Sequence, residues 1–164
     1  MEMAKEMISQ HGYYAITLLL ALGIVGLPVP DETLMVFVGY LASQEILNYF
    51  YSLLFCFIGS ITGMLVSYEI GKRLGLKAVN KCGRWIGLTP KRFEKIKGWV
   101  AKYGMWSILI AYFVPGVRHV AGYVSGITQM SFRRYVILCC VGAAIWTVLF
   151  VSIGYMLGDK FAAG

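Results

Sequence analysis

Two pairs of ionisable side chains lie inside apolar, proline-broken stretches of this 164-residue chain. Asp31 and Glu32 stand in Gly26-Leu-Pro28-Val-Pro30-Asp-Glu, and Arg118 and His119 in Pro115-Gly116-Val-Arg-His. Neighbouring carboxylates at a helix start can exchange protons or cations, because the positive end of the helix dipole favours their charged form while burial favours the neutral one. Pro30 fits the first helical position, which puts both acids in the first turn. Arginine and histidine at a second helix start suit an anion. Free backbone N–H groups, the dipole and a guanidinium converge there, a combination matched to phosphate. Pro28, Pro30, Pro115 and Gly116 are the expected helix breakers. Arg118, His119, Glu32 and Asp31 form the expected substrate-binding set, with Glu32 and Asp31 also carrying any proton coupling.

A membrane fold must position these groups. Charged residues make up 14% of the chain and hydrophobic ones 59%, against a soluble average of about 25% charged. Two runs, at 47–71 and 135–158, are long enough to cross a bilayer, which takes about 20 apolar residues. Two others, 13–43 and 103–130, are interrupted at the proline sites. The apolar helical stretches after those breaks, of about 11 to 14 residues, are too short to span and suit re-entrant segments. Unwound backbone at membrane depth is tolerated only where protein buries it or water reaches it. Interrupted segments at matching places in two halves point to a transport site.

An internal repeat relates the halves. A shift of 83 residues superposes Cys56 on Cys139, Gly59 on Gly142, Gly71 on Gly154 and Gly75 on Gly158. A shift of 87 brings Pro28 onto Pro115, Gly39 onto Gly126, and Asp31-Glu32 onto Arg118-His119. The expected fold is all-α and integral to the membrane, a single domain over 1–164. It is an inverted repeat of two units, each a re-entrant helical hairpin plus one full transmembrane helix. Repeat 1 covers about 12–77, a basic linker with an interfacial helix 78–102, and repeat 2 about 103–160. A hairpin that enters and leaves on one side adds no crossing, so a single span per unit turns the second copy upside down.

Ten Lys and Arg residues against Glu94 alone lie in 72–102, and Arg133 with Arg134 follow the second hairpin. The positive-inside rule puts both basic loops in the cytoplasm and both termini outside, and it accounts for the basic block without nucleic acid. Within the block, KRFEKIKGWVAKY places Phe93, Ile96, Trp99 and Val100 on one helical face, the pattern of an interfacial helix. Met3, Met7 and Ile8 point to a similar short helix at the N-terminus. Gly59/Gly63, Gly71/Gly75, Gly122/Gly126 and Gly154/Gly158 are G-x-x-x-G spacings that pack either the two halves or a homo-oligomer. Glu69, beside Lys72 and Arg73, reads as an ion pair at a span end. The four cysteines have no metal-ligand spacing, so no cofactor or metal is implied. Residues 1–11 lack the basic start and cleavage site of a signal peptide.

These residues resemble the DedA family of bacterial membrane proteins, whose shared region is also called the VTT or SNARE-associated Golgi protein domain. The family's P-x-P-x-E pattern is present as Pro28-Val-Pro30-Asp-Glu32, and its F-x-P-G-x-R as Phe113-Val-Pro115-Gly-Val-Arg118. Ala121-Gly122 to Gly126 and Phe132-Arg133 match as well. The resemblance implies transbilayer lipid movement in the bacterial cytoplasmic membrane. Members recycle undecaprenyl phosphate or distribute phospholipids, and eukaryotic relatives scramble lipids. It carries over Glu32 as the functional acid and Arg118 as the functional base; Asp31 is added from the residues alone. The chain departs from many members at Tyr112, where arginine is common, and at Gly23 and Met64, where acids are common. With fewer intramembrane charges, a zwitterion such as phosphatidylethanolamine fits slightly better than the dianionic undecaprenyl phosphate.

Two other classes compete with a flippase or scramblase. A membrane enzyme acting on lipid phosphates would need a catalytic constellation, and Gly122-Tyr-Val-Ser125-Gly126 is one residue too long for an intramembrane serine-protease motif. No catalytic residue is expected. A structural or partner-binding protein would depend on the basic loop and not on Glu32.

Overall fold

The computed structural model describes residues 2–26, 30–75, 77, 89–103, 106–114 and 117–162, with the side chains at 2–10, 112, 119, 161 and 162 outside the description. Pro28, Pro115 and Gly116 therefore lie outside the described residues, as does the side chain of His119. Among the described residues the regular structure is helical: α1 (Glu2–Val25), α2 (Asp31–Ser43), α3 (Tyr49–Leu74), α4 (Pro90–Tyr103), α5 (Trp106–Tyr112), α6 (Val117–Ile127) and α7 (Phe132–Ala162). The 26 residues of α3 and the 29 of Phe132–Lys160 in α7 are long and apolar enough to cross a bilayer. The chain is an all-α, multi-pass membrane protein.

Two expectations about helix starts need correction. The N-terminal methionine segment is not a separate helix, because residues from Glu2 run unbroken into α1. Ala, Glu, Met, Lys and Gln there are good helix formers, and the lone Gly12, at a cost of about 1 kcal/mol, does not stop them. Pro30 is not the first helical residue. Its ψ of 83° lies outside the helical well, while its carbonyl already accepts from Leu34 N at 3.0 Å. It flanks a helix that begins at Asp31.

The turns that hold the elements are local chemistry. Asn48 ends the loop before α3 by accepting from the backbone N–H groups of Phe50 at 3.0 Å and Tyr51 at 3.2 Å. Asn48→Ala is expected to cost about 1 kcal/mol, read as a lower thermal midpoint in detergent, while Asn48→Ser should restore it. Thr89 with Pro90 opens α4, the Thr89 hydroxyl accepting from Arg92 N at 3.3 Å. At the C-terminal ends, α2 and α6 stop on the same motif. Ile46 N donates to Leu41 O and Glu45 N to Ala42 O; Met130 N donates to Ser125 O and Gln129 N to Gly126 O. Both are Schellman turns closed by a non-glycine residue at positive φ, Glu45 at 58° and Gln129 at 54°.

Packing crosses between the halves. Helices α1 and α6 lie against α3, α2 and α5 lie against α7, and α3 meets α7 between them. Glycines set the closest approaches. A Cβ on Gly39 would land on the carbonyl oxygen of Val151, and one on Gly154 on that of Val36. In the other pair, a Cβ on Gly126 would land on the carbonyl of Tyr68, and one on Gly71 on that of Tyr123. Gly59 and Gly63 seat α3 on α1 at Thr17, Ala21 and Ile24. The G-x-x-x-G glycines named here thus pack helices inside one chain. Helix α4 buries Phe93 against Val120, Tyr123 and Val124 of α6, with Ile96 partly covered beside them. The expected end-of-span ion pair forms between Arg73 and Glu69 at 2.7 Å.

Candidate functional site

The starts of α2 and α6 meet inside the protein. Asp31 is the first residue of α2 and Arg118 the second of α6, and both are 1% exposed. Arg118 donates from one terminal nitrogen to Asp31 Oδ2 at 2.9 Å and lies 3.2 Å, through the other, from Glu32 Oε1. One guanidinium thus bridges two carboxylates, 87 residues from the first of them. The two acids are not equivalent. The Asp31 side chain is fully enclosed, whereas that of Glu32 is 31% exposed.

Electrostatics explains why this cluster tolerates burial. Two helix N-termini face it, each contributing about half a positive charge. Together with the guanidinium they offset both carboxylates, so the cluster is close to neutral as a whole. Arg118 also lies 3.9 Å from the centroid of the Trp146 ring of α7, a desolvated cation–π contact worth on the order of 2 kcal/mol.

Hydrogen bonding is incomplete at two atoms. Among the described residues, Asp31 Oδ1 and Arg118 Nε are buried without a hydrogen-bond partner. Buried polar atoms are nearly always satisfied, so an orphan acceptor and an orphan donor in one cluster call for an explanation.

The structure thus brings Asp31, Glu32 and Arg118 together. Both terminal nitrogens of Arg118 face carboxylates, the pairing that a guanidinium at this depth requires whatever else it binds. The role expected of His119 falls outside the described side chains. Reading residue types missed Trp146 and Tyr123. Trp146 lies in the middle of an apolar run instead of an interfacial belt, which was the available signal. Tyr123 of α6 donates from its hydroxyl to Val25 O at 2.5 Å, satisfying a carbonyl at the end of α1 and tying α6 to it. Among the described residues no group of three or more His, Cys, Asp or Glu is placed to hold a metal.

Comparison with known proteins gives a consistent set. The VTT domain family matches residues 29–156. The chain is 46% identical over 158 residues to the uncharacterized membrane protein YbfM of Bacillus subtilis (strain 168), covering 96% of this chain and 98% of that one. It is 32% identical over 161 residues to protein DedA of Escherichia coli (strain K12), covering 93% and 73%. It is 27% identical over 164 residues to undecaprenyl phosphate transporter A of Staphylococcus aureus (strain NCTC 8325 / PS 47), covering 98% and 81%. No solved structure matches it.

Proposed function

This chain belongs to the DedA family of VTT-domain bacterial membrane proteins, and we propose that it carries a phosphate-bearing lipid between the leaflets of the cytoplasmic membrane, coupled to protons. The observation that carries this reading is the buried junction where Arg118 bridges Asp31 and Glu32 while, among the described residues, one donor and one acceptor stay unmet. A zwitterionic headgroup supplies both missing partners. Its phosphate would accept from the guanidinium, and its ammonium would donate to Asp31 Oδ1.

The scaffold we infer is an inverted repeat with re-entrant hairpins α1–α2 and α5–α6, one span each in α3 and α7, and the basic loop at 72–102 on the cytoplasmic side. Support comes from the glycine contacts. Shifting the hairpin residues by 87 and the span residues by 83 converts Gly39 over Val151 into Gly126 over Tyr68, and Gly154 over Val36 into Gly71 over Tyr123. The same shift of 87 relates Asp31 to Arg118. A salt bridge between equivalent positions of two copies lies at the centre of their symmetry. Alternating exposure of that centre by rocking one half against the other is the mode such repeats allow.

Glu32 is the exchangeable member. Being half-open, it can leave Arg118 when protonated, freeing a terminal nitrogen for the lipid phosphate, while Asp31 stays to hold the guanidinium. Glu32→Gln is expected to cost less stability than Asp31→Asn, because its carboxylate is partly exposed and Asp31 still pairs the guanidinium, and to remove the response of flipping to an imposed pH gradient. Asp31→Asn should destabilise by about 3–5 kcal/mol, because it breaks the fully buried pair. Wild-type flipping that ignores the gradient would reduce the protein to a passive scramblase.

Phosphatidylethanolamine is the substrate we favour. Undecaprenyl phosphate is the second reading, favoured by the transporter that matches 98% of this chain. The deciding measurement is leaflet distribution in reconstituted vesicles, with labelled ethanolamine, choline and glycerol phospholipids and undecaprenyl phosphate compared side by side. Movement of none of them by the wild-type protein would end the transport reading. No catalytic step is assigned to any residue.

A further inference from the structure

A cavity of about 450 Å³ opens between α4 and the second hairpin, lined by Arg92, Lys95, Ile96, Trp99, Val114, Val117 and Val120. We propose that it docks a membrane phospholipid from the leaflet on the basic side, phosphate on Arg92 and Lys95 and chain stems along the apolar wall. Its lining is chemically split. Among the described residues that line it, the charged members are both cations on α4 and none is a carboxylate, whereas the others are apolar and one is an indole. Such a pairing matches an amphiphile with an anionic head and matches neither a soluble phosphate nor a cation. The location adds direction. Val117 in the wall immediately precedes Arg118, so the cavity adjoins the turn of α6 that carries the buried junction. For this onward path the proposal rests on the lipid-transport reading; the docking itself does not.

Burial of Phe93 holds α4 in place against α6, so the cations are presented on a fixed helix. Lys91 and Lys97 lie on the same helix but do not line the cavity. They supply the control that separates a site from diffuse attraction between a basic surface and anionic lipid.

The test uses full-length protein in vesicles of phosphatidylcholine containing a minority of tail-brominated phosphatidic acid, with quenching of Trp99 read as the difference from a Trp99→Phe variant. Quenching by the phosphatidic acid is expected to saturate. A direct charge-assisted hydrogen bond to a phosphate contributes roughly tenfold or more, so Arg92→Gln with Lys95→Gln should weaken it on the order of 100-fold. Lys91→Gln with Lys97→Gln should weaken it markedly less. Equal losses in the two double variants would overturn the proposal in favour of surface electrostatics. Full displacement by millimolar glycerol phosphate would overturn it in favour of a soluble ligand. Flipping measured in the same vesicles keeps the two ideas apart. Intact quenching with no flipping rejects transport and leaves the docking site standing, and flipping without quenching does the reverse.

Discussion

Arg118→Gln is expected to stop lipid movement in reconstituted vesicles and to destabilise the protein by about 3–5 kcal/mol, because it strands two carboxylates where one is wholly enclosed. A loss of fold would by itself explain the loss of movement, so a second variant is needed. Arg118→Gln combined with Asp31→Asn removes both members of the buried pair and leaves only half-exposed Glu32 charged. Replacing a buried pair by neutral groups is often close to neutral in stability. The double variant should therefore recover most of the thermal midpoint while lipid movement stays absent. Recovery of movement together with stability would mean that the bridge only holds the hairpins in register. Arg118→Lys should also fail. A lysine keeps the charge, but it lacks the planar fork that reaches two carboxylates and stacks on Trp146.

The second large effect concerns backbone approach. Gly39→Ala and Gly126→Ala each place a methyl group on a carbonyl oxygen of the facing span. Helix propensity favours alanine by about 1 kcal/mol. Overpacking costs about 1–3 kcal/mol or more, and here the obstacle is backbone and cannot rotate away. A net loss of roughly 2 kcal/mol is expected at each site, of similar size because the two contacts are alike. Gly98→Ala is the reference, since a Cβ there meets nothing within 4 Å and should stabilise slightly. Thermal midpoints in detergent decide the matter. If Gly39→Ala behaves like Gly98→Ala, the close packing of α2 on α7 is wrong.

Much of this was legible in the residue order, for identifiable reasons. The two long spans follow from uninterrupted apolar length, and α2 and α6 from short apolar runs after proline sites. The meeting of Asp31 and Glu32 with Arg118 was foreseeable because an intramembrane charge needs a partner. What local pattern did not supply was the ranking of the acids. A one-residue difference in position along α2 makes Asp31 enclosed and Glu32 half-open, and only the packing of neighbouring helices decides that. Trp146 carried a partial signal, its place in mid-span and not at an interface, but which cation it faces is again decided by the packing of neighbouring helices. The start of α2 differs by one residue because proline is acceptable both just inside and just outside a helix start.

The exchange of supports between halves has a bearing on biosynthesis. Helix α2 rests on α7, far along the chain, and Asp31 is answered by Arg118. At about 5–20 residues per second, ribosomes need on the order of 4–17 s to bring that arginine out after the aspartate. During this interval α2 has neither its neutralising cation nor its helical backrest. It must wait at the membrane surface, or under the care of the insertion machinery, until α6 and α7 have been made.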